Sequence, residues 1–353
     1  MKIALILPNN VWFCPYVAIY TDLLNKTSVD YDIISWNRDG VKENAIQYDA
    51  PVLSHNPIIL MRGYIGFAKF VRKVVLRNSY DSLIVFSPQS AIFLSSFLKR
   101  HFAGRYIFDY RDLSIEQNLI FKLPFRIVLA NSYVNVVSSP GFLKWLPRRY
   151  SYLLSHNFDI NVVRDVVAQP FRPRTEQGLI DVLTIGGIRD YESNVEIIKG
   201  LANADGISLR FVGKGPSAAS LKEAVVRMNA CNVSFEGYYP KEKEHLYIAS
   251  CTFMNIFYPR RKSHDTALSN RFYNALIHKK PMIVTSDTIQ GDYATSYGVG
   301  IALTNCEGLN HVLRNYIETL DDNEFQKNCN RLLNDFISDY EKWESVVKAF
   351  IKN

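Results

Sequence analysis

The stretches VLTIGGIRDY (182–191), LRFVGKGPS (209–217), VSFEGYYPKEK (233–243) and SNRFYNALIHKKPMIVTS (269–286) decide the fold. Short β-branched runs end at glycine, the next residues turn polar, and an apolar period near 3.6 then resumes. That alternation is the pattern of βα units in a parallel sheet. Glycine at a strand's carboxyl end lets the backbone approach a phosphate, and the following helix offers unpaired N–H groups and a positive dipole end. An anionic ligand, a diphosphate, is the first expectation.

Working outward, strand runs recur at IDVLTIG (180–186), SLRFVG (208–213), NVSFEG (232–237), TFMNIFYP (252–259) and PMIVTS (281–286). The first half carries its own series: KIALILP (2–8), YDIISW (31–36), SLIVFSP (82–88), RYIFDYRD (105–112) and VNVVSS (134–139), with helical stretches between. A chain of 353 residues exceeds what one core usually serves. Two domains are expected, at 1–168 and 180–330, joined by a linker at 169–179 that overlaps the proline- and arginine-bearing AQPFRPRTEQG (168–178). A C-terminal helix at 331–353 is expected to pack across the junction, on the helical spacing of Phe336, Trp343, Val346, Val347 and Phe350.

Charge is unevenly placed. Residues 1–168 hold 19 Lys and Arg against 12 Asp and Glu, whereas the rest of the chain is balanced at 22 against 22. Much of the excess lies in RGYIGFAKFVRKVVLRNSY (62–80) and FKLPFR (121–126), where cations alternate with apolar residues. Such a helix can lie on an anionic bilayer, or be a plain solvated face. Nucleic acid is not expected as a partner, since no recognition motif accompanies the charge. Five scattered cysteines without CxxC or His-Cys spacing give no zinc site and no disulfide framework, which suits a reducing cytoplasm. No signal-peptide core and no membrane-spanning run is seen, so a soluble or peripheral protein is expected. The only DxD, Asp30-Tyr31-Asp32, precedes a strand far from the glycine turns of the second half and reads as a strand-entry turn.

Taken together, GGIRDY, FVGKGP, VSFEGYYPKEKEHLYIASC and NRFYNALIHKKPMIVTS resemble the donor-binding domain of GT-B glycosyltransferases, of the retaining group 1 (family 4) type found in capsular and exopolysaccharide biosynthesis. FDYRDLSIEQ (108–117), SSPGFLKWL (138–146), HNFD (156–159) and NNVWFCPYVAIY (9–20) extend the likeness to the other half. The resemblance implies an α/β fold of two doubly wound Rossmann-like domains facing a cleft, with a C-terminal helix crossing back to the N-terminal domain. It also implies transfer of a hexose or N-acetylhexosamine from a UDP- or GDP-sugar to a saccharide or polyprenyl-diphosphate-linked acceptor. No cofactor and no metal are expected. The place of action would be the cytoplasm, on or near the inner face of the cell membrane.

Donor contacts are expected from Gly186, Gly187, Arg189, Gly213, Gly215, Asp265, Asn270 and Asn274. The family normally has a glutamate at the last of these, for the donor's ribose hydroxyls; asparagine can still bond them but carries no charge. Thr266, beside Asp265, takes the place of a second family glutamate, and Lys279 that of a glycine. Catalytic candidates are Arg271 and Lys214, cations for the leaving diphosphate, and Asp112, which could orient or deprotonate the acceptor hydroxyl. Asn10, Asp109 and Arg111 are expected on the acceptor side. Structural alternatives stay open: a surface ion pair for Arg271, a solvated turn for Lys214, tight turns for the glycines. Asn274 also admits a catalytically weakened nucleotide-binding subunit, and the fold alone admits a nucleotide-sugar 2-epimerase. A dinucleotide-dependent enzyme is disfavoured, because PNNVWF rather than GxGxxG follows the first strand.

Overall fold

The structure, a computed structural model, describes residues 1–52, 56–170 and 178–352. Residues 171–177, most of the expected linker, lie outside the described residues. The chain forms two units, Met1–Asp159 with Ser338–Asn353, and Ile160–Ile337.

In the first unit, strands β1 (Lys2–Leu7), β2 (Asp30–Asn37), β3 (Ile46–Asp49), β4 (Ser82–Phe86), β5 (Tyr106–Tyr110), β6 (Val134–Val137) and β7 (Tyr152–Leu154) form a parallel sheet in the order β3-β2-β1-β4-β5-β6-β7. β4 and β5 are buried at every residue, and β1 at all but Lys2. Strands covered on both faces read as continuous apolar runs, which is why these were legible in the sequence.

Helices α1 (Val17–Lys26), α2 (Pro57–Asn78), α3 (Pro88–His101) and α4 (Lys122–Asn131) connect the strands. The sheet grows from β1 towards β3 and then from β4 towards β7, so right-handed crossovers put α1 on one face and α2, α3 and α4 on the other. On the first face, Tyr20, Leu23 and Leu24 pack with Ile3, Leu5 and Leu7, and with Trp343, Val347 and Phe350 of the C-terminal helix (Asp322–Lys352). On the second, Tyr64 stacks on Phe93, Phe93 meets Phe121 edge-on, both at 5.9 Å, and Arg72 donates to the Phe93 carbonyl at 2.7 Å. Asn56 caps α2 by accepting from the Ile58 N–H, with Pro57 at the first helical position.

The second unit opens with α5 (Ile160–Ala168) and continues β8 (Ile180–Ile185), α6 (Tyr191–Leu201), β9 (Ile207–Val212), α7 (Ala218–Arg227), β10 (Val233–Gly237), α8 (Glu244–Ser250), β11 (Phe253–Ile256), α9 (Lys262–Thr266), α10 (Asn270–Ile277), β12 (Met282–Thr285), α11 (Ile289–Tyr297), β13 (Gly300–Leu303) and α12 (Leu309–Thr319), before α13 (Asp322–Lys352). Its sheet is also parallel, in the order β10-β9-β8-β11-β12-β13. Val182, Leu209, Phe211 and Phe253 form the core with Ile197 and Leu313 from α6 and α12. Phe336, on α13, packs on Tyr273 and Tyr293 at ring separations of 5.8 and 5.7 Å.

Each strand run expected from the sequence is a strand here, and the doubly wound character holds in both halves. β3, β7 and β13 were not anticipated. They are sheet-edge strands of three or four residues, none containing a fully buried residue, so neither run length nor alternation marks them. The first unit closes after Asp159 and α5 groups with the second, whereas the sequence reading kept residues up to 168 with the first.

Candidate functional site

The glycine turns of the second unit lock onto each other. Gly186 ends β8 at φ +94° and Gly213 ends β9 at φ +135°. A Cβ at Gly213 would lie 2.0 Å from the Gly186 carbonyl oxygen, and one at Gly215 would lie 2.1 Å from that of Ile188. No side chain fits either place. The Ile188 N–H donates to the Lys214 carbonyl at 3.1 Å, and the Ser217 N–H to that of Ile188 at 3.2 Å. Mutual packing of two βα turns thus accounts for Gly213 and Gly215 on its own, and the same packing shapes the surface left open. That surface is a concavity of about 270 Å³ lined by Gly186, Gly213, Lys214, Tyr238, Tyr239 and Lys241. Lys214 is exposed, its ammonium 5.4 Å from the centre of the Tyr238 ring.

Arg271 is held beneath this turn. Ser269 caps α10 by accepting from the Phe272 N–H, and Gln290 fixes the cap by accepting from the Ser269 N–H at 3.0 Å and hydroxyl at 2.7 Å. From the first turn of α10, Arg271 donates to the carbonyls of Ile185 at 2.5 Å and Gly187 at 2.9 Å, with its guanidinium 5.6 Å from the Tyr258 ring. The side chain is therefore a clamp on the end of β8 rather than a surface ion pair, and it sets a permanent cation beside Gly186 and Gly187.

One helical turn on, Asn274 donates to Glu244 at 3.0 Å. Glu244 also accepts from the Tyr239 hydroxyl at 2.5 Å and from the Lys241 ammonium. Burial alone would raise the carboxyl's pKa, but hydrogen bonds from Lys241, Tyr239 and Asn274 and the Lys241 charge hold it below the ordinary glutamate value. The site thus contains an ionised carboxylate on α8, next to the amide that stands where the family resemblance led one to look for it. Sequence reasoning missed Glu244. The signal was present, since an amide at 274, where the resemblance implies a carboxylate, called for a search of the facing loop, and KEKEH supplies two.

The remaining donor candidates lie in the loops and helix starts of the same unit. Arg189 is exposed, and a Cβ at Gly187 would come 3.1 Å from its Nε. Asn270 is exposed at the first position of α10. Asp265 is paired with Arg260 at 2.9 Å, and His264 Nδ1 lies 3.1 Å from the Pro259 carbonyl, so both brace their own loop.

In the first unit the candidates divide sharply. Asp109 and Arg111 face inward as a buried ion pair at 2.6 Å. The Tyr20 hydroxyl donates to Asp109 at 2.7 Å, and Arg111 donates to the Ser155 carbonyl at 3.2 Å. Asn10 is also fully buried: its Oδ1 accepts from the Arg38 and Asp39 N–H groups at 2.8 and 3.2 Å, and its amide nitrogen donates to Asn37 at 3.1 Å. These three side chains build the loops at the carboxyl edge of the sheet instead of presenting themselves from it. Asp112 alone turns outward, where solvent reaches it. Burial of the surroundings of its carboxyl nevertheless pushes its pKa up to about 6, with Arg111 pulling the other way and Glu116 adding to the rise.

Among the described residues, no helix is long and apolar enough to cross a membrane, and no group of three or more His, Cys, Asp or Glu is placed to hold a metal ion.

Two successive doubly wound parallel sheets, with the last helix returning to the first unit, define a GT-B fold. Over its length the chain is similar to sucrose-phosphate synthase from Thermosynechococcus elongatus, at 12% identity and a TM-score of 0.71 over 100% of this chain and 99% of that one. It is similar also to the apo form of the lipopolysaccharide outer core galactosyltransferase WaaB, at 13% identity and a TM-score of 0.66 over 99% of both chains. A third likeness is to Anabaena HepE in complex with UDP, at 12% identity and a TM-score of 0.62 over 99% of this chain and 100% of that one. No protein-family model and no curated protein sequence matches the chain.

Proposed function

We propose that the protein is a metal-independent glycosyltransferase of the retaining group 1 type. It would move a hexose or N-acetylhexosamine from a UDP- or GDP-sugar to a lipid-linked saccharide in surface polysaccharide assembly, at the cytoplasmic face of the membrane. The observation that carries the reading is the convergence, at one end of the second unit's sheet, of the Arg271 and Lys214 cations with the Glu244–Asn274 pair. Cations and a helix N-terminus favour the negative charge that grows on a departing diphosphate. An ionised carboxylate beside an amide suits the paired hydroxyls of a ribose, and charged hydrogen bonds of that kind contribute about 1.5–3 kcal/mol each. In the transfer, the bond from the sugar's anomeric carbon to the diphosphate would break as a new one forms to the acceptor oxygen, whose proton Asp112 would orient or accept.

The alternative of a weakened binding subunit was motivated by the missing glutamate at 274. Glu244, bonded to Asn274, would supply that charge from α8, which speaks against this alternative. Thermal stabilisation by UDP, GDP, ADP, TDP and CMP, with and without EDTA, tests the reading. A shift selective for one base and insensitive to EDTA is expected; no shift with any nucleotide would overturn it.

A further inference from the structure

We propose that the amino edge of the first unit's sheet holds a binding site for a small planar anion, an aromatic ring carrying a carboxylate or a phosphate. A cavity of about 480 Å³ lies there, larger than the concavity at the glycine turns, and Asp81, Gly104, Arg105, Tyr133, Phe350 and Lys352 are among its lining residues. Asp81 precedes β4, Gly104 and Arg105 precede β5, Tyr133 precedes β6, and Phe350 and Lys352 end α13. β4, β5 and β6 are neighbours in the sheet, so the cavity sits at the opposite end of the strands from Asp112. Spaces of this size hold small-molecule ligands.

Main chain fixes the rim. The Asp81 N–H donates to the Lys2 carbonyl at 2.9 Å, the Gly104 N–H to that of Asn131 at 2.8 Å, and the Tyr133 N–H to that of Tyr106 at 2.7 Å. Gly104 turns at φ +71°, and a Cβ there would meet nothing within 4 Å, so this turn faces open space where Gly213 faces main chain. Arg105 is pinned as well: its guanidinium donates to the carbonyls of Asp81 at 2.9 Å and His101 at 2.5 Å, and lies 5.0 Å from the centre of the Phe102 ring. The fork is thus held in place with N–H groups to spare, which lowers the entropy cost of gripping a carboxylate or phosphate. Among the described residues neither Arg105 nor the exposed Lys352 has an ion-pair partner, and the Asp81 carboxylate is engaged by the Lys2 N–H at 2.7 Å. The apolar wall is Tyr133, 38% exposed, its ring 5.1 Å from that of Phe350. An inorganic anion would use the cations and leave the ring wall idle, whereas a purely apolar ligand would cover the cations without pairing them. A ring bearing an anion uses both. The site shares no residue with the nucleotide site and stands independently of the transferase reading.

The test is titration of the full chain with benzoate and with phenyl phosphate, read by saturation-transfer NMR, beside acetate, inorganic phosphate and benzamide. At least one ring anion is expected to bind with a dissociation constant of about 1 mM or tighter, and the tighter of the two names the headgroup. Arg105→Gln, which keeps a donor but not the charge, should weaken it about ten-fold or more. Gly104→Asn, a residue tolerated at positive φ, should do the same by filling the opening. It also carries the test should Arg105→Gln fail to fold. Neither ring anion binding at millimolar concentration would overturn the proposal. So would binding that both substitutions leave unchanged, or binding matched by acetate, inorganic phosphate or benzamide, since ring and charge would then not act together. Ring-anion binding by a protein that no nucleotide stabilises would support this site while sinking the transferase reading.

Discussion

The side-chain amide of Asn274 donates to the Glu244 carboxylate at 3.0 Å, so an amide from α10 and a carboxylate from α8 share one place in the site. Placing a glutamate at 274 therefore sets two carboxylates side by side. Like charges at that separation raise the pKa of the pair, which then holds a proton at low pH and repels itself at high pH. Asn274→Glu is expected to weaken nucleotide binding about ten-fold or more near pH 8, with recovery as pH falls and the pair takes up a proton. Glu244→Gln combined with Asn274→Glu should return binding towards wild type. Tighter binding by Asn274→Glu alone, measured by titration calorimetry, would show that Glu244 is not the site's carboxylate.

Arg271 has a structural duty, and the functional one proposed for it can be separated from that. Arg271→Ala leaves the carbonyls of Ile185 and Gly187 without their donor, which is expected to cost about 1–3 kcal/mol in chemical denaturation. The nucleotide-induced rise in melting temperature should disappear as well. Arg271→Lys keeps the charge but cannot span both carbonyls with a fork, so it should recover part of the nucleotide response and little of the stability. Full retention of the nucleotide response in Arg271→Ala would remove the residue from the diphosphate site.

Asp112 predicts a pH profile. With its pKa raised to about 6, the carboxylate is present above that value and protonated below it. The rate for the wild-type protein should fall on the acid side by about ten-fold per pH unit once below the pKa. Asp112→Asn should lose most of the rate at neutral pH together with that acid limb. A variant with unchanged rate and profile would assign the limb to another group.

Gly213 tests the turn-on-turn packing. At φ +135°, and with a would-be Cβ 2.0 Å from the Gly186 carbonyl oxygen, Gly213→Ala meets both backbone strain and a clash with main chain. A loss of at least about 2 kcal/mol is expected, from strain of 1–3 kcal/mol with the steric term added. Urea unfolding checks the stability, and loss of nucleotide binding in the folded fraction checks the link to the site.

Much of this was legible in the chain, and the residues that were not share a physical reason. Buried parallel strands announce themselves as apolar runs, and glycine turns as punctuation, so the sheets and the region around Gly186, Gly213 and Arg271 could be placed beforehand. Edge strands such as IQYD and YLL carry no such run. The direction a side chain takes at a strand end is set by tertiary partners: Asp109, Arg111 and Asp112 lie within four residues of chain, yet the ion pair with its tie to Tyr20 draws two of them inside and leaves the third out. Glu244 was hidden for a similar reason. Its meeting with Asn274 joins positions thirty residues apart, a relationship of folded space that spacing along a motif does not encode.

The return of α13 to the first unit bears on the order in which the molecule forms. Trp343, Val347 and Phe350 are part of the same core as β1, so the first unit cannot complete its interior until those late residues have been synthesised. The second unit is continuous from Ile160 to Ile337 and has its whole core in hand earlier. Domains usually mature on the ribosome in the order of their synthesis. Here that order is inverted: the middle of the chain is the first part able to reach its final form, and the opening strand must wait, with its apolar surface open, for a segment more than three hundred residues downstream.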